Sequence, residues 1–376
     1  MLNDIRVIEI SHTSAAAFAG RLFADAGAEV ILVEPADGHP LRHEGPFLND
    51  VPDRETSAAH LHINAGKRSL AVETPLDCEE VVKLAQGADV FITDFPTHLL
   101  EPAGLSWREL HQRNPSLLMT QVTPFGQTGP YRHYQGTNLV CLALGGQLKI
   151  TGDPGRPPLS NFGAQAEYQA GLAAFAGTLA NILLRDESGE GEYLDLSVQD
   201  ITANNLEGRS LTFNLGVMAE RSGLNVSAVY GVYPCADGWV FLSAFAPALW
   251  EQLKEAVQLP ELEDDRFSTQ AGRLANNDEL QAILTAWTFS KTSAELRSLA
   301  QRGYPLTVAE TPQDLLRSDQ WANRQFVRGL DHPAAGAVAI LGPLWRQQEI
   351  PGPRRPAPRL GEANVEILGE AFGVRR

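Results

Sequence analysis

The first thirty-five residues constrain the fold more than any other stretch. Two β-branched runs, RVIEI at 6–10 and VILVEP at 30–35, flank the alanine-rich segment SHTSAAAFAGRLFADAGAE. Branched side chains suit a pleated strand, and alanine is the best helix former. The pattern predicts strand, helix and parallel strand, the opening of a doubly wound α/β domain. The usual occupant of such an opening is a dinucleotide, held by a G-x-G-x-x-G turn that lets the backbone approach a pyrophosphate. Here that turn reads Ser11-His12-Thr13-Ser14-Ala15-Ala16. NAD is therefore excluded, and another ligand is expected.

The βα rhythm continues. Thr74-Pro75-Leu76-Asp77 carries the signals of a helix start, a Thr cap followed by Pro at the first helical position. Strands are predicted at VFITDF (90–95), LLMTQV (117–122) and EYLDLSV (192–198), with helices over 107–113 and 164–184. From 199 to about 225 the rhythm breaks. A hairpin is then expected around Ala236-Asp237-Gly238, followed by amphipathic helices over 248–257, 278–287 and 293–302. The apolar run AVAILG reads as a strand ahead of a Pro/Arg-rich tail. The boundaries that follow are a large domain 1–199, a linker 200–225, a small α+β domain 226–323, and a C-terminal segment 324–376 that returns to the large domain.

Composition limits the partners. With 376 residues and 43% hydrophobic content the chain can build one large domain and a smaller one. A formal net charge of −16 argues against nucleic acid and anionic membrane surfaces, though a local basic pocket can still take an anion. Cys78, Cys141 and Cys235 fit no C-x-x-C spacing and read as buried thiols in a reducing compartment. No basic segment followed by an apolar core opens the chain, and the apolar stretch 170–184, interrupted by Asn181, is too short for a span. A cytoplasmic protein is expected.

Several motifs admit two readings. Gly66-Lys67-Arg68-Ser69 resembles the end of a phosphate loop, but the first glycine would fall at Leu61. It reads as a turn into the strand SLAVE, with Lys67 and Arg68 available to an anion. Read as a strand, His60-Leu61-His62 puts two imidazoles on one side, without the acid or cysteine a zinc site needs; no metal is expected. His12 follows the first strand at its C-terminal end, where doubly wound sheets bind ligands. A structural and a functional role stand level there. Gly126-Gln127-Thr128-Gly129-Pro130-Tyr131-Arg132 is a shaped loop at the same edge, either a plain connection or a pocket wall. Glu167 sits among small residues at the start of an apparently buried helix. It is either an ordinary helix-start acid or a carboxylate kept for chemistry.

Together these segments resemble the class III CoA-transferases, the family that includes formyl-CoA transferase, the carnitine CoA-transferase type and α-methylacyl-CoA racemase. The matching pieces are VIEISH, FAGRLFADAGAEVILVEP, INAGKRSLAVE, ADVFITDFPTHLLEPAGL, NPSLLMTQVTPFGQTGPY, ITGDPGRPPL and AEYQAGLAAFAGTLANILLRDESGEGEYLDLSVQD. DGWVFLSA, DDRFSTQAGRLANN and PRLGEANVEIL follow. The resemblance implies an α/β fold with a Rossmann-like large domain and a small α+β domain, two chains threading each other as an interlocked-ring homodimer. It implies CoA and acyl-CoA as ligands and a small carboxylate as acceptor.

The family's nucleophilic aspartate, in an A-D-x-x-x-G context, corresponds to Glu167 before Tyr168-Gln169-Ala170-Gly171. The expected chemistry is nucleophilic catalysis through an enzyme carboxylate–CoA intermediate. The racemases' His and Asp correspond to Thr137 and Glu167, so two-base proton transfer lacks its imidazole. CoA-binding positions carry over to His12, Thr13, Ser14, Val72, Asp94 and Phe95, with Asp94 standing where the family has Asn. Two basic positions fall on Pro35 and Pro102, leaving Arg42 and Arg132 to take their place. The alternatives are an acyl-CoA isomerase or racemase-like enzyme with Glu167 as base, or a non-catalytic member acting as a binding or partner subunit.

Overall fold

The computed structural model describes residues 2–77, 79–206, 216, 221, 228–346 and 355–372. Most of the expected linker, Cys78 and part of the Pro/Arg-rich tail lie outside the described residues. The opening folds as its side chains dictate: β1 (Arg6–Ile10), α1 (Ser14–Asp25) and β2 (Glu29–Pro35), with β1 and β2 parallel and Val7 opposite Val30. The chain continues through α2 (Ala58–Ile63), β3 (Arg68–Val72), α3 (Glu79–Gln86), β4 (Val90–Thr93), α4 (Trp107–Arg113) and β5 (Leu118–Thr123). After α5 (Asn138–Leu144) and α6 (Gln165–Ser188) comes β6 (Tyr193–Ser197).

These strands form one parallel sheet in the order β3-β2-β1-β4-β5-β6. The order reverses between β1 and β4, which opens a crevice at their C-terminal ends. Alternate strand residues feed two cores, one on each face, as a sheet covered on both sides requires. Val7, Val30, Val90 and Ile92 meet α1 and α6, whereas Ile8, Ile31, Val33 and Phe91 meet α3 and α4.

Two local expectations are corrected. Residues 75–77 form a turn, and α3 begins only at Glu79. His60 and His62 lie on a helix, not a strand. His60 is buried against the Pro358 carbonyl and the Asn64 side chain.

The chain divides into two compact units. The first comprises Met1–Leu148, Ser160–Met218 and Asp319–Arg376, and the second Lys149–Leu159 and Ala219–Ser318. The second holds an antiparallel sheet of β7 (Tyr230–Cys235), β8 (Gly238–Ser243) and β9 (Leu306–Val308). Helices α7 (Pro247–Val257), α8 (Asn277–Phe289) and α9 (Ser293–Gln301) pack on it around Trp250, Leu253, Leu280 and Leu296. The AVAILG run is β11 (Gly336–Leu341), paired antiparallel with β10 (Val327–His332). Among the described residues no helix is long and apolar enough to cross a membrane.

Candidate active site

The crevice is built from the two strand ends that flank the reversal. Asp94, one residue beyond β4, is buried. Its carboxylate accepts the backbone N–H of His12 at 3.0 Å, that of Thr13 at 2.8 Å and the Thr13 hydroxyl at 2.7 Å. It also lies 2.7 Å from Nδ1 of His12. Burial opposes the charge on Asp94, but His12 and the Thr13 donors outweigh it and hold the carboxyl below its usual value. Burial likewise disfavours the His12 imidazolium, yet Asp94, with a further contribution from Glu167, lifts its pKa above the ordinary one. The His12 side chain is 45% exposed, and its ring lies 4.7 Å from that of Phe95. Phe95 is itself held through its carbonyl by Gln121, at 2.6 Å.

Thr13 caps α1 by accepting the Ala15 N–H, which leaves the first helical donor, Ser14 N–H, to find a partner outside the helix. It donates to Oε2 of Glu167 at 3.0 Å. Glu167 is half-buried in the first turn of α6. That helix lacks a capping side chain of its own; Asn138 supplies one by accepting the Ala166 N–H at 2.9 Å. Burial pushes the Glu167 carboxyl up, with Asp94 and Glu44 adding to the effect and the Ser14 N–H opposing it. Oε1 has no hydrogen-bond partner among the described residues.

Two clefts meet at this point, and His12 and Phe95 are the residues they share. One, of about 640 Å³, runs past Pro35, Asp37, Glu44 and Pro75. The other, of about 520 Å³, is walled by Phe125, Gly136, Thr137 and Glu167. Gly136 is needed there, because a Cβ would stand 2.7 Å from that of Pro124.

The structure therefore brings His12, Thr13, Asp94, Phe95, Arg132 and Glu167 to one cleft, with Ser14 bonded to Glu167 behind it. Val72 is half-buried at the end of β3 and lines neither cleft. Arg42 is a correction. It is fully buried, its guanidinium straddling Glu34 at 2.7 and 2.8 Å and reaching Glu55 at 3.0 Å. A phosphate would have to displace two carboxylates. Lys67 and Arg68 also meet the protein's own acids, Glu9 for one and Glu29 with Glu366 for the other. Sequence reasoning misses His98 and His133, whose rings lie 5.4 Å apart on the second cleft. His98 lies on a single helical turn and His133 in a turn of the chain, and no spacing joins them.

A carboxylate anchored at the carboxyl edge of a parallel sheet, beside an elongated double cleft, defines an α/β protein equipped to act on an extended ligand. The chain belongs to CoA-transferase family III, whose family model matches residues 2–364. It is 33% identical to a succinyl-CoA–D-citramalate CoA-transferase of Chloroflexus aurantiacus, over 99% of this chain and 94% of that one. It is 32% identical to a subunit of the succinyl-CoA:(R)-benzylsuccinate CoA-transferase of Thauera aromatica, over 94% and 90%. A crystal structure of a CAIB/BAIF family protein from Brucella suis superposes with a TM-score of 0.88 at 27% identity, covering 98% of both chains. The chain is thus an enzyme of the CoA-transferase class, with CoA thioesters as substrates.

Proposed function

We propose that the protein moves CoA from succinyl-CoA to a dicarboxylate through covalent intermediates on Glu167. The donor and acceptor class follow from the relatives, which are named for succinyl-CoA with D-citramalate or (R)-benzylsuccinate. The observation that carries the reading is the state of Glu167. One oxygen is fixed by a backbone N–H, the other has no partner among the described residues, and burial withholds the water that would quiet it as a nucleophile.

In this scheme the free oxygen attacks the thioester carbonyl. The C–S bond breaks, CoA leaves as thiolate, and a mixed anhydride remains. The thiolate then attacks the glutamyl carbonyl, releasing succinate and leaving a glutamyl–CoA thioester. The acceptor carboxylate attacks that thioester, its C–S bond breaks to release the thiolate and leave a second mixed anhydride, and the thiolate's attack on the acceptor carbonyl yields the new acyl-CoA and free Glu167. The proposal includes a Rossmann-like large unit and the interlocked homodimer that the family resemblance implies.

The test is to incubate the protein with succinyl-CoA, trap with hydroxylamine or borohydride, and map the adduct by mass spectrometry. Modification at Glu167, absent along with turnover in Glu167→Ala, is the expected result. Unchanged turnover in that variant, with no adduct in the wild type, would reject the reading. Two other outcomes have their own support. The raised Glu167 pKa suits a general base, and deuterium entering the acyl α-carbon without adduct would assign that role. One relative is a subunit of its enzyme, and CoA binding without either chemistry would mark this chain as a partner subunit.

A further inference from the structure

Transfer through Glu167 releases a CoA thiolate and then needs the same sulfur as a nucleophile. An ordinary thiol has a pKa of about 8.5, so at neutral pH the freed sulfur tends to pick up a proton and lose its reactivity. Something in the cleft has to keep it anionic and in place.

His12 stands where this is done. The two clefts share His12 and Phe95, so a ligand that starts in the first and reaches Glu167 in the second passes this imidazole. Nδ1 is spent on Asp94 at 2.7 Å. Nε2 has no partner among the described residues, on a side chain 45% exposed. Asp94 is fixed by three further donors and cannot turn away. The arrangement is that of a carboxylate orienting an imidazole so that its far nitrogen presents a proton.

We propose that His12, oriented by Asp94, pairs as imidazolium with the CoA sulfur and acts as a catalytic residue of the transfer. The proposal rests on the reading of Glu167 given above. When the C–S bond breaks, its electron pair stays on sulfur, and Nε2–H donates a hydrogen bond to the thiolate without giving up its proton. When the thiolate attacks the anhydride, the pair returns to carbon and His12 is again free. No proton leaves the site and no other reactant is consumed.

The surrounding charges agree with this state. Asp94 faces the ring from the end of β4, and Glu167 faces it from α6. Asp37, His43 and Glu44 look in from the first cleft, and His98, Arg132 and His133 from the second. His39, beneath Ser11, is held neutral because burial pushes its pKa down to about 3. Activity then depends on protonated His12 and falls as pH rises through a value above its ordinary 6.5.

The test is the pH profile of kcat with succinyl-CoA in wild type, His12→Gln and Asp94→Asn, alongside the Glu167 adduct. His12→Gln is expected to lose the alkaline limb and about 10²-fold or more in kcat, while still forming the Glu167 adduct slowly. Asp94→Asn keeps an oxygen for the Thr13 donors but removes the charge. Its alkaline limb moves to lower pH, a shift that a structural role for Asp94 does not produce. It reads the same limb if His12→Gln fails to fold. An adduct at Glu167 with the limb unmoved in Asp94→Asn, or retained in His12→Gln, overturns this proposal alone. No adduct in the wild type removes the Glu167 chemistry and this proposal with it.

Discussion

Glu167 is held in a form that costs the fold stability when it is ionised. Its pKa is raised in the folded protein, chiefly by burial. A raised folded-state pKa contributes stability that is present below the ordinary carboxyl value and lost as pH rises through the folded one. Ionised Glu167 therefore costs the fold something at neutral pH, and Glu167→Gln, which can still accept from Ser14, should melt higher than wild type there. The gap should close as pH falls through the raised folded value and be gone below the ordinary 4.5; thermal melts across that range measure it, and a pH-independent gap would sink the argument. Asp94 has the opposite sign: its depressed pKa adds stability above the ordinary value that is lost as acid protonates it. Much of this was legible in the chain. An acid among alanines and glycine at a helix start stands out, and a histidine directly after the first strand falls at the ligand edge. Arg42 was not legible as a structural residue, because nothing in its neighbourhood says that Glu34 will fold beneath it. The Ser14 donor was equally hidden, since any residue supplies a backbone N–H and only the helix packing chooses which one meets Glu167.

That packing is a property of α1 and α6 as elements. Both are built from small residues, and Ala15, Ala16 and Ala19 meet Ala166, Ala170 and Ala174 in one core. At Gly171 the two helices approach closely: a Cβ there would lie 2.6 Å from the Ala15 carbonyl oxygen and 3.0 Å from Cβ of Phe18. Gly171→Ala should gain helix propensity, about 1 kcal/mol, yet lose more by overpacking, which typically costs about 1–3 kcal/mol. We expect a lower urea midpoint with the m-value unchanged, and weaker transfer as Ser14 and Glu167 are pushed apart. A variant more stable than wild type would show that the helices slide freely. Elsewhere, element-level reading succeeds where a clear stop bounds the element, as Asn114-Pro115 does for Trp107–Arg113, and fails where local signals are outvoted. Thr74-Pro75 has the chemistry of a helix cap but is used in a turn, and His60-Leu61-His62 alternates like a strand yet forms a helix. In the second case Ser57 caps the helix, and Asn64 bonds Nδ1 of His60, contacts that no strand pattern reveals.

At the scale of the whole molecule, a net charge of −16 is compatible with an anionic substrate only if some cation stays free. Many do not: Arg21 pairs with Asp25, Arg42 with Glu34, Lys67 with Glu9, and Arg68 with Glu29. The last two of these pairs tie the first unit together across long sequence distances, and its C-terminal piece adds further ties. The Pro358 carbonyl accepts from Arg42 at 3.0 Å and contacts His60. Asn364 bonds both backbone groups of Ala71 on β3, at 2.8 and 2.9 Å. Ile367 is fully buried among Ile8, Ile31 and Leu70. The second unit has its own core around Trp250 and Leu284, with none of these residues in it. Ile367→Ala should therefore cost about 2–5 kcal/mol and spend that loss in one unit alone. Native-state hydrogen exchange is the measurement that separates the cases. Protection should fall along β1, β2 and β3 and hold along β7 and β8. A uniform loss across both sheets would mean that the two units unfold as one cooperative body, with the C-terminal segment anchoring the entire chain.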